Sequence, residues 1–166
     1  MTDLVPRQIE LSPISEAHVS CFFEDFSLGT VFTSPSMEVG EDLIVEFARI
    51  YDPQYFHLDP ERARDSVFGG LVAGGFQTAA LAWGLALRTG LFRDCALAGL
   101  GIDGLRWHTP LRAGDVVHTR FWLIKGRLSS TRPGAGVATF QYEVRNQLDE
   151  LLLTLQLAQL LRCRPE

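Results

Sequence analysis

The sequence predicts an α+β domain in which an antiparallel sheet of about five strands wraps around one long, buried helix. Two observations predict this class. Residues 76–88 are almost entirely apolar or small, which is typical of a helix that is buried on most of its faces. From about residue 97 onward, apolar residues recur with the period of two that characterises half-buried strands.

The length of the chain fits a single domain. It has 166 residues, of which 46% are hydrophobic, enough for one core but not for two comfortable ones. Residues 1–20 contain Pro6 and Pro13 and have no clear periodicity, so we expect an extended or loosely ordered arm there. The domain is then expected to cover residues 21–166.

The first half of the domain is predicted to contain a short strand and two helices. Residues 31–33 form the strand, which Pro35 ends. A helix follows Gly40 and stops before Pro53, because the residue before a proline is pushed out of the helical region. Asp59 and the proline after it predict a short second helix that runs to about residue 64. The apolar stripe of the first helix consists of Leu43, Ile44, Phe47, Ala48 and Tyr51.

The second half is predicted to contain the central helix and a four-strand meander. Thr89 and Gly90 close the central helix, since glycine is common just beyond the last turn. The strands are expected near residues 97–107, 115–127, 136–147 and 151–163. Such a sheet covers the central helix on all sides only if something packs on the remaining face, and a second subunit commonly does so.

Composition and charge exclude several functions. The net charge of −5 and the lack of a basic stripe argue against nucleic-acid binding. No window reaches the roughly 18 apolar residues of a membrane span, and the N-terminus has no leader pattern, so we expect a cytoplasmic protein without membrane contact. Cys21, Cys95 and Cys163 lie far apart and predict neither a disulfide framework nor a metal site.

One segment combines a carboxylate and an imidazole in a pattern suited to catalysis. Asp52 and His57 are five residues apart, immediately after the first helix. Because Pro53 breaks that helix, an irregular turn can point both side chains into one cleft, where they would hold a water and share its proton transfers. Tyr55 and Phe56 would keep such a cleft dry, which strengthens electrostatic interactions.

A glycine pair follows 18 residues later. Gly75 opens the central helix, whose first N–H groups have no partner within the helix. Gly74 and Gly75 lack side chains, so a thioester carbonyl can approach their backbone within about 3 Å. Stabilising charge on that oxygen makes the α-proton removable, and addition of water at the β-carbon is the partner reaction.

Simpler interpretations of these residues stay open. Asp52 is also a common residue in a turn before proline, and His57 is also consistent with a buried structural histidine. The glycines also allow close packing of a helix on a sheet. Trp83, Trp107 and Trp122 are expected in the core, and His108 is expected in a strand or at the surface.

The segment FARIYDPQYFHLDPERARDSVFGGLVAGGF resembles the hydratase motif of the MaoC-like family, which includes the R-specific enoyl-CoA hydratases. Asp52 and His57 match the family's catalytic pair, and Gly75 matches the glycine of its oxyanion site. Residues 101–115 resemble its later strand and turn. The resemblance implies the hot-dog fold, a homodimer or larger even assembly, and reversible hydration of a trans-2-enoyl-CoA to the R-3-hydroxyacyl-CoA. Coenzyme A enters as part of the substrate, and no other cofactor is implied.

The segment departs from the family pattern at four positions. Tyr51, Gln54, Tyr55 and Gly74 replace the residues usual in the family and, with Phe56, are predicted to bind or shape the substrate cleft. Arg132, in the loop between two predicted strands, is a further candidate for contacting a coenzyme A phosphate, because the guanidinium fork suits phosphate oxygens.

Two other functions are compatible with the same fold. A hot-dog thioesterase also uses a carboxylate and a helix N-terminus but does not need the Asp52–His57 pair. A binding or regulatory subunit would keep the thioester cleft without turnover. The spacing of the pair favours hydration over either.

Overall fold

The structure is a computed structural model that describes residues 21–165. The predicted arm, residues 1–20, lies outside the described residues. The α-helices of the described residues are α1 (Glu41–Tyr51), α2 (Tyr55–Leu58), α3 (Pro60–Ala63) and α4 (Gly75–Leu87), and a 3-10 turn precedes them at Phe23–Asp25. The strands are β1 (Val31–Thr33), β2 (Met37–Val39), β3 (Ala96–Trp107), β4 (Asp115–Leu128), β5 (Ala135–Arg145) and β6 (Leu151–Arg162).

The helices begin and end close to where the sequence predicts. The first starts after Gly40 and ends before Asp52, with Ile44 and Ala48 fully buried. Asp59 caps α3 by accepting hydrogen bonds from two backbone amides of its first turn. Helix α2 and strand β2 were not predicted, because a single turn and a three-residue strand are too short to create a periodic pattern.

The strands form one curved antiparallel sheet in the order β1-β4-β5-β6-β3, and β2 also pairs with β4. Strands β4, β5 and β6 form the expected meander. The predicted four-strand meander is wrong for β3, which pairs with β6 at the far edge rather than with its sequence neighbour β4. The connection from β3 to β4 instead crosses to the other side of the sheet, and Leu111 and Arg112 in it pair with the backbone of residues 72 and 73 on the way.

Helix α4 packs against β4, β5 and β6, and the sheet curves around it. The core between them is rich in aromatic rings in contact with one another; Phe92, Phe121, Phe140 and Tyr142 are almost completely buried there. A long helix enclosed by an antiparallel sheet is the hot-dog arrangement, so the predicted fold class is confirmed.

Two neighbouring apolar surfaces remain open in the single chain. Phe76 and Leu87 are exposed on one face of α4. Most of β3 is exposed on both of its faces, including Leu100 and Ile102. No helix within residues 21–165 is long and apolar enough to cross a membrane.

Candidate active site

Asp52 stands where α1 ends. Its amide still bonds to the Ala48 carbonyl at 3.0 Å, but its backbone leaves the helix, with φ −152° and ψ 69°. Pro53 requires this exit, because a residue before proline avoids the helical region. The break turns the Asp52 carboxylate toward the start of α4, where 23% of the side chain remains accessible.

His57 lies in the one-turn helix α2 and is anchored to the segment before α4. Its Nδ1 is 2.7 Å from the Val72 carbonyl oxygen, and the Val72 amide donates to the Phe56 carbonyl at 3.2 Å. The Phe56 ring meets the imidazole edge to face at 4.5 Å. Only 6% of the His57 side chain is exposed, and the Val72 carbonyl and the Phe56 ring together fix the position of the imidazole.

The structure brings the two predicted groups together. His57 Nε2 is 3.5 Å from Asp52 Oδ2, and the other carboxylate oxygen, Oδ1, accepts a hydrogen bond of 2.7 Å from Gln54 Nε2. Since a carbonyl oxygen can only accept, the Nδ1 of His57 carries a proton. In neutral His57, Nε2 is therefore an acceptor, and it faces a carboxylate oxygen that is also an acceptor.

The two glycines lie beside this pair. Gly74 is the residue just before α4 and Gly75 is its first residue, so the Gly75 amide has no partner within the helix and lies at its positive end. A Cβ atom on Gly74 would be 3.0 Å from Asp52 Oδ2, and one on Gly75 would be 2.5 Å from the Trp107 ring. Both positions thus need glycine for close approach to the neighbouring side chain.

A cleft of about 220 Å³ opens next to His57 and Gly75. It is bounded by the start of α4, the segment before it, the end of β3 and the connection that follows β3. Its remaining lining residues are Phe68, Val72, Ala73, Thr78, Trp107, His108, Thr109, Pro110, Leu111 and Leu152.

The other predicted site residues lie at the margin of the cleft or away from it. Gln54 reaches the site through Asp52. Tyr51 is 69% exposed, and Tyr55 lies on the surface beneath the guanidinium of Arg62. Neither tyrosine lines the cleft of its own chain. Phe56 packs against the His57 imidazole and does not line the cleft.

Arg132 lies at the other end of the sheet. With Arg127 it borders an open depression that also includes Leu160 of β6. The cleft residue Trp107 of β3 pairs with Leu153, which lies seven residues before Leu160 in β6. Seven residues of strand span about 23 Å. Arg132 is therefore not brought to the Asp52–His57 pair of its own chain.

A second cavity, of about 290 Å³, continues along α4 beyond the cleft. The helix contributes Ala79 and Trp83, which follow the cleft residue Thr78 along the helix. Strands β3, β5 and β6 provide the opposite wall, where Gln159 Nε2 donates to the hydroxyl of buried Tyr142 at 3.0 Å.

Sequence reasoning missed the contribution of two residues at the end of β3. Trp107 was expected in the core, which is wrong: 52% of its surface is exposed and it lines the cleft. His108 also lines the cleft, with its Nε2 2.9 Å from Thr154 Oγ1. The alternating strand pattern does not indicate that these two residues line a cleft. Their place just before Thr109-Pro110, where the connection to the next strand starts, does indicate a strand end.

Comparison with known proteins identifies similar chains. A sequence model described as the MaoC like domain matches residues 25–142. The uncharacterised protein YdeM of Bacillus subtilis is 34% identical over 96 residues, which cover 58% of this chain and 68% of that protein. Nodulation protein N of Rhizobium meliloti is 38% identical over 101 residues, covering 58% of this chain and 62% of the relative.

Solved structures share the fold. A MaoC-like dehydratase from Rhodospirillum rubrum superposes with a TM-score of 0.79 at 35% identity, covering 87% of this chain and 99% of that one. The R-hydratase PhaJ1 of Pseudomonas aeruginosa superposes with a TM-score of 0.69 at 20% identity, covering 87% and 86%. The second likeness concerns the fold alone.

Proposed function

The chain belongs to the MaoC-like domain family, and we propose that it is a hydro-lyase that adds water reversibly to a trans-2-enoyl thioester of coenzyme A. The observation that carries this proposal is the approach of His57 Nε2 to Asp52 Oδ2, 3.5 Å apart, which makes a pair of acceptors when the imidazole is neutral. Two acceptors this close are satisfied by a donor that has two protons to give. Water is such a donor, and it is the substrate of the hydration reaction.

The pair would also activate the water. When the water donates one hydrogen bond to His57 and the other to Asp52, its oxygen lone pairs point away from both side chains and toward the cleft. As the oxygen bonds to the β-carbon of the enoyl group, one water proton passes to the pair. The pair returns one proton to the α-carbon, so that the 3-hydroxyacyl thioester forms and the two side chains end as they began.

The start of α4 supplies the second part of the reaction. The Gly75 amide would donate to the thioester oxygen, on which negative charge develops as water adds to the conjugated double bond. Gly74 lets the carbonyl and the Asp52 carboxylate approach the same backbone segment, because it has no side chain between them.

The acyl tail would occupy the cavity along α4. Its lining is mainly apolar, and its volume of about 290 Å³ lies just below the usual range for ligand pockets, about 300–1,000 Å³. We therefore expect short or medium acyl chains, with Trp83 as the residue that limits their length. By resemblance to the R-specific hydratases, the product would be the R-3-hydroxyacyl thioester.

A second copy of this chain would cover the open apolar surfaces. Exposed Phe76 of α4 and Leu100 and Ile102 of β3 form neighbouring surfaces, and β3 has one strand partner within the described chain. A homodimer that pairs these surfaces buries both and also closes the cleft beside Trp107. Larger even assemblies are compatible with the same contact.

The test is loss of the ultraviolet absorbance of the conjugated enoyl thioester after the protein is added to crotonyl-CoA and to longer trans-2-enoyl-CoAs. We expect the wild type to hydrate at least one of them. Asp52→Asn and His57→Ala should each reduce the rate by about a hundredfold or more, because each removes a proton-transfer group. His118→Ala is the matched control, since His118 lies in β4 away from the cleft and should keep full activity.

Inactivity of the wild type toward the whole series would overturn the proposal. Release of free coenzyme A, followed with a thiol reagent, would then assign the cleft to a thioesterase. Saturable binding of the thioesters without either reaction would assign it to a binding subunit.

A further inference from the structure

The indole of Trp107 lies directly against the backbone of Gly75. A Cβ atom built on Gly75 would be 2.5 Å from both Nε1 and Cε2 of Trp107. In a helix the Cα–Cβ bond tilts toward the N-terminus, which is also the direction of the unpaired first N–H groups. The nitrogen-bearing edge of the indole is therefore at the end of α4 where the thioester oxygen would bind.

The two nitrogen atoms are close enough to share one acceptor. In standard backbone geometry a Cβ atom is about 2.5 Å from its own amide nitrogen, so Trp107 Nε1 lies within about 5 Å of Gly75 N. Two N–H donors with bonds of about 2.9 Å can meet at one oxygen when their nitrogen atoms are less than about 5.8 Å apart.

The Trp107 N–H is also available. An indole nitrogen is a donor only, and within residues 21–165 no group accepts a hydrogen bond from Trp107 Nε1. Pairing with Leu153 fixes the backbone of Trp107, and its ring makes an edge-to-face contact with Phe76, with the centroids 5.9 Å apart. Its donor thus borders the cleft at a position set by a regular strand.

We propose that Trp107 Nε1–H is a second hydrogen-bond donor to the thioester oxygen, beside the amide of Gly75. This inference rests on the proposed binding of an acyl thioester at the start of α4. Two converging donors stabilise the charge that develops on the oxygen more than one amide does. Trp107 then has a catalytic role in addition to forming the wall of the cleft.

The first test observes the indole protons of the wild type. The chain has three tryptophans, so protein labelled with ¹⁵N in its indoles gives three Nε1–H signals, and a Trp107→Phe variant identifies one of them. Hexanoyl-CoA, a saturated thioester that cannot be hydrated, is the probe. We expect the Trp107 signal to move downfield as the site saturates, while the signal of Trp122 in β4 stays in place.

The second test is kinetic. With an enoyl-CoA that the wild type hydrates, Trp107→Phe should lower kcat by about 10²–10³-fold, the usual loss for one oxyanion donor, with a smaller change in KM. Trp122→Phe, which removes an indole outside the cleft, should change neither constant. A Trp107→Phe variant with unchanged kcat and raised KM would show that the ring serves packing alone, and the inference would be wrong.

The outcomes separate this inference from the proposed function. A wild type that hydrates enoyl-CoA but shows a stationary Trp107 signal at saturation overturns the inference and leaves the hydratase proposal intact. A shifted Trp107 signal without hydration supports the inference and overturns the hydratase. If calorimetry detects no binding of hexanoyl-CoA to the wild type, the inference is overturned as well.

Discussion

A methyl group on Gly74 would lie 3.0 Å from Asp52 Oδ2, the carboxylate oxygen that faces His57. Alanine at this position therefore presses on one member of the proposed acid–base pair. We expect Gly74→Ala to displace the carboxylate and to lower kcat of the proposed hydration by about tenfold or more, since a shift of about 1 Å in a reacting group can cost 10²-fold. Steady-state assays with an enoyl-CoA measure this.

The control is Gly84→Ala, in the same helix. A Cβ atom there meets nothing within 4 Å, so the change should stabilise α4 by up to about 1 kcal/mol and leave the rate unaltered. Equal kcat values for Gly74→Ala and the wild type would show that the carboxylate does not depend on the open space above Gly74.

Trp83 should set the length of the acyl chain. It lines the cavity along α4 and packs against Phe92 and Tyr142, with ring centroids 5.4 Å and 6.4 Å away. Trp83→Leu extends the cavity, and each newly buried methylene contributes about 0.8 kcal/mol. We expect the ratio of kcat/KM for an eight-carbon to that for a four-carbon enoyl-CoA to rise about tenfold. An unchanged ratio would mean that the tail lies elsewhere.

The exposed surface of β3 should hold the two subunits together. Leu100 is 53% exposed on β3, and Leu148, in the turn between β5 and β6, is 72% exposed. Leu100→Lys introduces a charge into the proposed interface, so we expect the dimer to dissociate at least about tenfold more readily, about 1.4 kcal/mol. Analytical ultracentrifugation measures this, and Leu148→Lys should behave as the wild type. A monomeric wild type would contradict the proposed dimer.

Periodic patterns allowed most of the fold to be predicted. The stripe with Ile44 and Ala48 predicts α1, and the run from residue 76 predicts α4, because burial imposes a repeat on the sequence. The place of β3 beside β6 could not be predicted in this way. Alternation identifies a strand and its buried face, but it contains no information on which strand is its neighbour.

The candidate site likewise has one part that local patterns predict and one part that they do not. Asp52 and His57 are near in sequence, and the intervening proline forces a turn, so their proximity follows from local rules. The contact of Trp107 with Gly75 joins residues 32 positions apart through the sheet topology, so no local pattern indicates it. Tyr51 was predicted to shape the cleft. Its ring instead packs against Phe47 of its own helix, with ring centroids 4.8 Å apart.

The hydrogen bond between Gln159 and Tyr142 should contribute to stability. Both residues are almost fully buried, and burial raises the pKa of the Tyr142 phenol, which therefore stays protonated. Tyr142→Phe leaves the Gln159 amide without this acceptor, which should lower the free energy of unfolding by about 1–3 kcal/mol. Urea denaturation measures this. A combined Tyr142→Phe and Gln159→Leu variant should lose less than Tyr142→Phe alone if the unpaired amide is the cause.

Stability should fall in alkali because of Cys95. Burial raises the pKa of this thiol from 9.0 to about 12, and the Sγ donates to the Leu91 carbonyl. The folded protein keeps a proton that the unfolded chain releases above pH 9, so this contribution is full below pH 9 and is lost as the pH rises toward 12. By pH 10 the loss should be about 1.4 kcal/mol.

Urea unfolding at pH 7 and pH 10 of the wild type and Cys95→Ala measures this contribution. The difference between the two pH values should be smaller in the variant by that amount. The same difference in both proteins would assign the alkaline loss to other groups.

The bond from the Val72 amide to the Phe56 carbonyl has a consequence for how this chain can vary. It joins the two ends of the segment from residue 58 to residue 71, so that segment leaves and returns to the same point beside His57. Ala63 in the core and Phe68 in the cleft lining hold most of the segment in place, but Val67 in the turn between them is 97% exposed. An insertion beside Val67 would change the surface of the protein while the distance between His57 and the start of α4 stayed constant. This exposed turn is thus the place in the segment where a reporter peptide can be inserted without changing the proposed chemistry.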